Sequence, residues 1–370
     1  MPQNITQKDI TRIIRRYNAG HATEEEKAFV DAYYSYFGKG APVADEAVGA
    51  EMKTFIMSHA EGQGRVRVLG PFYRYAVAAS VVLVLSVTGY FVLHHQTQSR
   101  LTALNEIKPG SNGAVLTLAN GNKIVLEQTR NGLITDQNGN KVNKANDSLL
   151  VYKAGAANSA AITYNTLETP RGKQYAVVLP DGSKAWLNAA SSLRYPTAFN
   201  GKERLVELTG EGYFEVVHNA KQPFRVKTDD ELVEDIGTHF NINTYDDEPA
   251  RKTTLLEGSV RLTGKNAAII LKPGQQAALI EQKFVVNEVN VQEVVAWKDG
   301  YFYFDHADIK EVMRQIARWY NVKVAYQGTL PKTLFRGKIY RKGSIRQVLK
   351  VLEFYNVHFR LDGDLVTIIG

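Results

Sequence analysis

Histidine, aspartate and glutamate are the side chains of this chain that could bind a metal or move protons, and their spacing does not build a site. The eight histidines are scattered along the chain, whereas a metal site needs several converging ligands. Two acidic runs, 229–231 and 246–248, could offer oxygen ligands to Ca²⁺, but neither has the spacing of an EF-hand. We therefore expect both runs to be solvated turns.

Sequence motifs of the common enzyme classes are also absent. The sequence contains no GxSxG elbow, HExxH pair, Walker loop or dinucleotide-binding fingerprint. It contains no cysteine, which excludes disulfides, thiolate metal sites and a cysteine nucleophile. A glycosidase would need two converging carboxylates, and sequence spacing cannot demonstrate such a pair. The prediction is a protein with no catalytic residue, no cofactor and no metal.

One hydrophobic segment, 75–93, predicts how the chain is anchored. Its nineteen residues carry no charge, and at about 1.5 Å per residue such a helix spans roughly 28 Å, close to the hydrocarbon core of a bilayer. The polar residues that precede it exclude a cleaved signal peptide. A buried core helix, the alternative, would be shorter or would carry a polar stripe.

Flanking cations predict the orientation of this transmembrane helix. Three arginines stand within about twenty residues before it, and fewer cations stand in a comparable stretch after it. Lysine and arginine favour the cytoplasmic side. We therefore expect a single-pass protein of the inner membrane, with its N-terminus in the cytoplasm and the chain from His94 onward in the periplasm.

Residues 1–61 are predicted to form short amphipathic helices, followed by a linker at 62–74. The region is too small to bury a large core by itself. Its apolar face either packs within a small bundle or is completed by another protein, as in helix-in-groove recognition. It has no basic recognition helix, so we expect no direct binding to nucleic acid. The candidate binding face consists of Ile10, Ile13, Ile14, Tyr17, Phe29 and Tyr33.

The segment 111–297, which follows a linker at 94–110, is predicted to be all-β. Alternating apolar residues flank turn dipeptides such as Asn120-Gly121 and Asp181-Gly182, which is a strong hairpin signal. Later runs are short, rich in β-branched residues and bounded by turns, as in a sandwich or a solenoid-like β-domain. Local pattern does not encode strand order, so the topology stays open.

Residues 298–370 contain an internal repeat. The helical pattern that begins at Ile309 returns from Ile345, and each copy reaches Tyr-Asn-Val. Strands around each helix predict two β-α-β units and a small α+β domain. This stretch has thirteen lysines and arginines against seven aspartates and glutamates, which suits an acidic protein partner or plain solvation. Three aromatic residues at the helix ends either pack in the core or contact a partner: Trp319, Tyr320 and Tyr355.

The predicted fold class is therefore a multidomain membrane protein. It has a small N-terminal all-α region, one transmembrane helix, an all-β periplasmic domain and a small α+β C-terminal domain. A small domain inside the cell and a large one outside is the geometry of a sensor.

Five ordered sequence blocks resemble the periplasmic domain of FecR-type anti-sigma factors. The C-terminal repeat resembles the additional domain of many members, and the helices and anchor fall where that family has them. The blocks are 169–199, 207–228, GTHFNINTY at 237–245, LLEGSVRL at 255–262 and LKPGQQA at 271–277.

This resemblance implies a signalling relay with no enzymatic step of its own. Such proteins hold an extracytoplasmic-function sigma factor through the cytosolic helices and sense the signalling domain of a TonB-dependent outer-membrane receptor in the periplasm. Proteases of a regulated cascade then free the sigma factor. The three C-terminal aromatic residues would be receptor contacts. An alternative of another class is a membrane-anchored periplasmic binding or scaffold module, which would tolerate deletion of the cytosolic tail.

Overall fold

The structure, a computed structural model, describes residues 16–17, 21–23, 27, 107–137, 139–153, 162–235 and 237–370. Within the described residues, twenty strands precede the C-terminal repeat. In chain order they are β1 (Ser111–Asn112), β2 (Val115–Thr117), β3 (Lys123–Val125), β4 (Gly132–Gln137), β5 (Asn140–Asn146), β6 (Leu149–Lys153), β7 (Tyr164–Thr169), β8 (Lys173–Val178), β9 (Lys184–Leu187), β10 (Ser191–Pro196), β11 (Arg204–Thr209), β12 (Glu211–Glu215), β13 (Phe224–Lys227), β14 (Glu231–Asp235), β15 (His239–Asn243), β16 (Arg251–Glu257), β17 (Val260–Gly264), β18 (Ala268–Leu271), β19 (Gln275–Ile280) and β20 (Lys283–Glu288). A 3-10 turn, Leu126–Gln128, follows β3.

These strands form an eleven-stranded and a nine-stranded sheet. The first has the order β20-β19-β16-β15-β12-β9-β8-β6-β5-β4, with β1 beside β8, and the second has the order β18-β17-β14-β13-β11-β10-β7-β2-β3. Most neighbours are antiparallel, but β1 and β6 run parallel to β8, and β11 runs parallel to β13. Parallel pairs require crossovers, which hairpin signals in the sequence do not specify.

The two sheets pack face to face around one apolar core. Along β11, for example, Val206 and Leu208 point inward and are buried. Phe214 of the eleven-stranded sheet lies 5.2 Å from Phe240, centroid to centroid, and 6.3 Å from Phe224 of the nine-stranded sheet. Full burial of one such side chain is worth about 1.5–3 kcal/mol, so this layer supplies most of the stabilisation of the sandwich.

In a sandwich, each strand normally buries the side chains of one face only. The strand β12 is buried on both faces, since its first four residues are all buried. Its inner face holds Phe214, whereas Glu211 and Tyr213 lie on the outer face. A short helix, α1 (Val291–Val295), and the adjoining Trp297 cover that outer face, where Tyr213, Val295 and Trp297 form a separate apolar cluster. The outer face of the eleven-stranded sheet is therefore a contact surface.

The C-terminal repeat consists of five strands and two helices. β21 pairs with β23 in one sheet, and β25 lies between β22 and β24 in another. The order β-α-β is thus present twice, as expected, but the two strands that flank each helix lie in different sheets. The elements are β21 (Tyr301–Ala307), α2 (Ile309–Tyr320), β22 (Lys323–Gln327), β23 (Phe335–Tyr340), α3 (Ile345–Glu353), β24 (His358–Asp362) and β25 (Leu365–Ile369).

Local chemistry sets the ends of both long helices. The carboxylate of Asp308 accepts a hydrogen bond from the backbone N–H of Glu311 at the start of α2, and Ser344 forms a capping box with Gln347 at the start of α3. After each helix an asparagine adopts the left-handed conformation, with φ of 51° at Asn321 and 58° at Asn356. Asparagine tolerates this region better than most residues, which explains the repeated Tyr-Asn-Val.

The expectation of a mainly β protein is confirmed. Among the described residues, no helix is long and apolar enough to span a bilayer. The segment 75–93 and nearly all of the predicted N-terminal helices lie outside the described residues, so these predictions, and the domain bounds, stay predictions.

Candidate functional site

The outer face of the eleven-stranded sheet meets the C-terminal repeat at a surface that we call the junction, formed by β9, β12, β15 and β16 on one side and by α1, β21, α2 and Arg341 on the other. Polar side chains dominate it, in contrast to the apolar layer between the sheets. It is the best candidate for a functional site because charged groups are buried there and because a cavity opens between the two sides.

Arg318, near the C-terminal end of α2, makes the strongest charge contacts of the junction. Its guanidinium donates to Asp247 Oδ1 and Glu248 Oε1, each at 2.6 Å, and lies 4.0 Å from the ring centroid of Tyr245. Arg314, one turn earlier on α2, donates to Glu248 Oε2 at 2.8 Å. Only 6% of the Arg318 side chain and 9% of that of Glu248 are exposed, so this charge network is largely removed from water.

In each acidic run the two aspartates are exposed and the glutamate is largely withdrawn from water, so the expectation of two solvated turns is wrong in part. Asp246 is 92% exposed and accepts from Arg251, but Glu248 is buried against α2. Glu231 of the other run is buried and accepts a hydrogen bond from the Thr253 hydroxyl at 2.7 Å. The described residues contain no group of three or more histidine, aspartate or glutamate side chains that could hold a metal ion.

Arg341, which follows β23, is the second buried cation of the junction, with 3% exposure. It donates to Asn188 Oδ1 and to the carbonyl oxygen of Trp297, both at 2.9 Å. Its guanidinium lies 3.9 Å from the ring centroid of Trp319, a cation–π contact. Burial lowers the pKa of Arg341 to about 10, which at neutral pH still leaves it charged.

Glu211 is the buried acid that faces these cations through amides. Asn188 and Asn241 donate to its two carboxyl oxygens at 2.7 and 3.1 Å. Asn188 in turn accepts from Arg341, and Asn241 accepts from Trp297 Nε1 at 3.2 Å. Burial raises the pKa of Glu211, and the two amide hydrogen bonds oppose that rise. Glu211 is thus linked through Asn188 to Arg341 of the C-terminal repeat and through Asn241 to Trp297, which follows α1.

Backbone contacts complete the junction at the end of α2. The N–H of Gly172 donates to the carbonyl oxygen of Arg318 at 2.8 Å, and Gly172 has φ +75°. A Cβ atom on Gly110 would stand 2.6 Å from the Trp319 ring and 2.8 Å from the Gly172 carbonyl oxygen. Glycine is needed at both positions, at 172 for its left-handed backbone and at 110 for close approach.

A cavity of about 300 Å³ lies between the sheet and the C-terminal repeat. Its floor comes from β12, β15, β16 and β19, and its cover from α1, β21 and α2. The lining is mainly polar: Asn188, Glu211, Asn241, Asn243, Lys252, Thr254, Gln276, Val289, Glu293, Val294, Trp297, Tyr301, Tyr303, Asp305, Glu311, Gln315 and Arg318. Such a volume is at the lower end of the range for small-molecule sites.

Comparisons with known proteins identify the two parts that meet at the junction. Residues 165–261 match the FecR protein family, and residues 301–368 match the C-terminal domain of FecR. The chain is a FecR-type protein. Glu211 and Glu248 fall within the first match, and Arg318 and Arg341 within the second, so the junction joins the two family domains. No curated protein matches the chain.

Two crystal structures of a candidate anti-sigma factor from Parabacteroides distasonis, at 1.65 and 2.50 Å resolution, are similar to this FecR-type protein. The 1.65 Å structure is 26% identical in sequence and has a TM-score of 0.52, and the match spans 55% of this chain and 97% of the chain in that structure. The 2.50 Å structure is 25% identical and has the same TM-score, and the match spans 56% of this chain and 98% of the chain in that structure.

The structure places two of the predicted partner contacts in the core of the FecR C-terminal domain. Trp319 and Tyr320 are each 3% exposed, and both donate to backbone oxygens, Trp319 to that of Arg341 at 2.7 Å and Tyr320 to that of Gly343 at 2.6 Å. Core packing, the alternative that the sequence left open, therefore describes both side chains. Tyr355 is half-buried against Phe335 and donates to the Arg336 carbonyl oxygen.

Of the proposed sigma-binding residues, the structure describes only Tyr17, which is helical and half-buried. Ile10, Ile13, Ile14, Phe29 and Tyr33 lie outside the described residues.

The sequence did not indicate three residues of the junction, namely Glu211, Arg318 and Arg341. A weak signal existed for Arg318, since it interrupts the apolar end of α2, but isolated charges such as Glu211 and Arg341 carry no local sign that they will be buried.

Proposed function

We propose that this FecR-type protein regulates a sigma factor. The observation that carries the proposal is the presence of both FecR domains in their order, together with the likeness to a candidate anti-sigma factor over 55% of the chain. The protein has no enzymatic step in this role. It binds and releases its partner, and its own conformation carries the signal.

In this proposal the protein crosses the inner membrane once, through 75–93. Residues 1–61 hold an extracytoplasmic-function sigma factor, and the periplasmic part senses the signalling domain of a TonB-dependent receptor. Proteolysis then frees the sigma factor. The hydrophobic segment and the apolar helical faces of the sequence support this topology.

The junction gives this relay a physical basis in the periplasm. Buried charge networks favour one arrangement of the two domains over looser ones, because separating them would strip partners from buried charges. Binding of a receptor to the FecR C-terminal domain would therefore also act on Glu211 of β12 and on Glu248, which lies between β15 and β16. The junction is the element through which such a force would reach the rest of the chain.

Sigma binding is tested by capturing the tagged full chain from detergent-solubilised cells and identifying retained proteins by mass spectrometry. We expect one small sigma factor, lost in the double variant Ile13→Ala/Tyr17→Ala. A matched double variant on another face of the same predicted helix, Thr11→Ala/Arg15→Ala, should retain it. Equal retention by both variants would show that the apolar face is not the binding surface.

Topology can be tested cleanly because the chain contains no cysteine. Single-cysteine variants at Ser35 and at the exposed Lys283 would be treated with a membrane-impermeant maleimide. After permeabilisation of the outer membrane alone, Lys283→Cys should react and Ser35→Cys should not. The reverse pattern, or labelling of both positions, would contradict a single crossing with a cytoplasmic N-terminus.

The alternative of a periplasmic scaffold module makes a different prediction for the cytosolic tail. Deletion of residues 1–61 should abolish control of sigma-dependent transcription if the protein is a regulator. A scaffold would keep its cellular effect after the same deletion, provided that the shortened chain reaches the membrane in equal amount.

A further inference from the structure

The cavity at the junction has an unbalanced set of charges. Arg318 already pairs with Asp247 and Glu248, and Asp305 pairs with Arg336. This leaves the carboxyl groups of Glu211, Glu293 and Glu311, and the ammonium group of Lys252, without an ion pair within 4.0 Å among the described residues. Three acidic groups and one cation of the lining therefore have no ion pair, although Glu211 accepts hydrogen bonds from the amides of Asn188 and Asn241.

These carboxyl groups also have unused hydrogen-bonding capacity. Glu293 accepts one hydrogen bond, from the backbone N–H of Asp305 at 3.1 Å. The side chains of Glu311 and Gln315, both on α2 and both half-buried, have no hydrogen-bond partner among the described residues. Polar groups in partly dehydrated positions normally find partners. The acceptors at this wall of the cavity thus lack donors that the chain itself could supply.

The electrostatic cost of this arrangement is visible in the acidic groups. Burial raises the pKa of Glu311, and burial together with the charges of Asp305 and Glu311 raises the pKa of Glu293 to about 7. Lys252 lowers the pKa of both groups without contacting either. A further positive charge in the cavity would stabilise the ionised carboxylates and relieve this cost.

We propose that the cavity is a binding site for a small organic cation that carries an amino or guanidino group. The cationic group binds at Glu293 and Glu311, while the amide of Gln315 and the hydroxyl of Tyr303 are placed to bind polar parts of the same molecule. Because Glu293 lies on α1, which covers the sheet, and Glu311 lies on α2 of the FecR C-terminal domain, a bound cation would join these two helices more firmly.

The test uses the purified full chain in detergent micelles and four probes of similar length, namely putrescine, aminobutanol, butanediol and succinate. Binding is measured by calorimetry at constant ionic strength, since salt screens charge attraction. We expect saturable binding of putrescine and aminobutanol, and none of butanediol or succinate. Equal binding of butanediol would overturn the assignment to cations, and no saturable binding of either amine would overturn the site.

Variants locate the binding. Glu311→Gln and Glu293→Gln keep the size of the side chain, and each should weaken binding of putrescine at least tenfold, which corresponds to about 1.4 kcal/mol. Lys252→Met removes a competing positive charge and should strengthen it. Glu353→Gln, an exposed position on α3, is the control and should leave affinity unchanged. If Glu311→Gln and Glu293→Gln bind like the unaltered chain, the cation binds elsewhere.

Acid should weaken the same binding. Glu293, with a pKa of about 7, faces Asp305, Glu311 and Lys252. Glu311 also faces Glu248, Arg314 and Asp308. Lowering the pH from about 8 to about 5.5 protonates Glu293 and removes its charge, so affinity for putrescine should fall. Affinity that is independent of pH would contradict binding at these carboxylates. None of these measurements involves a sigma factor, so their failure leaves the regulatory role untouched.

Discussion

The two copies of the C-terminal repeat share one helical pattern but differ in what they contact. Helix α2 ends in Arg318, Trp319 and Tyr320, and all three side chains are buried. Arg318 binds Asp247 and Glu248, and Trp319 lies close to Gly110, so two of the three contact the other side of the junction. The corresponding end of α3, aligned by Tyr-Asn-Val, has Glu353 exposed and Phe354 half-buried. The apolar residues that both copies share form the core of the FecR C-terminal domain. The residues that differ at the helix ends decide which copy contacts the other side of the junction.

The buried ring of Trp319 should give the largest effect in this comparison. Trp319→Ala removes a 3% exposed ring that contacts Arg341 and packs close to Gly110. We expect the free energy of unfolding to fall by about 3–5 kcal/mol. Phe354→Ala, at the matching position directly after α3, should cost less than half as much. Urea unfolding of the full chain, followed by circular dichroism, measures both, and equal losses would show that the two helix ends are equivalent.

Removal of the Arg318 charge should give the next largest effect. Arg318→Leu leaves Asp247 without its partner and Glu248 with Arg314 alone, and we expect a loss of about 3 kcal/mol because a partly uncompensated charge stays buried. Glu353→Leu, its counterpart on α3, should change stability by less than about 0.5 kcal/mol, as surface substitutions usually do. Tryptophan fluorescence suits this measurement, since Trp186, Trp297 and Trp319 are the only tryptophans and all lie near the junction.

The left-handed asparagines should respond alike in the two copies. Asn321→Ala and Asn356→Ala each place an alanine at positive φ, which should cost about 1–2 kcal/mol. Asn321→Gly and Asn356→Gly should keep nearly the original stability, because glycine adopts this conformation freely. Equal losses would confirm that this feature belongs to the repeat itself. A large loss at Asn321 alone would mean that it also supports the junction.

The smallest effect concerns pH. The pKa of Glu293 is raised to about 7 by burial, so its contribution to stability is complete below about pH 4.5 and is lost as the pH rises through 7. Thermal unfolding of Glu293→Gln should therefore depend less on pH between about 5 and 8 than that of the unaltered chain. The slope should not vanish, because burial also raises the pKa of Asp235 in β14 to about 7. An unchanged slope would mean that Glu293 does not titrate in this range.

Much of the fold could be predicted from local sequence. The hairpin turns at Gly121 and Gly182 have the positive φ that their dipeptides indicate. Short strands such as Ala268–Leu271 coincide with runs of β-branched or other apolar residues between turns. These features depend on residues within a few positions of each other, so they can be predicted from the sequence.

The sequence by itself determined that residues 111–297 are mainly β, that residues 298–370 repeat one helical pattern, and that the motifs of the common enzyme classes are absent. Each of these follows from local spacing or from residue types. Tertiary structure alone decided which charges are buried. Arg341 reaches Asn188 across 153 positions of the chain, and Arg318 reaches Asp247 across 71. Whether a charge is solvated or buried depends on what the rest of the fold brings against it, and no pattern of neighbouring residues records that.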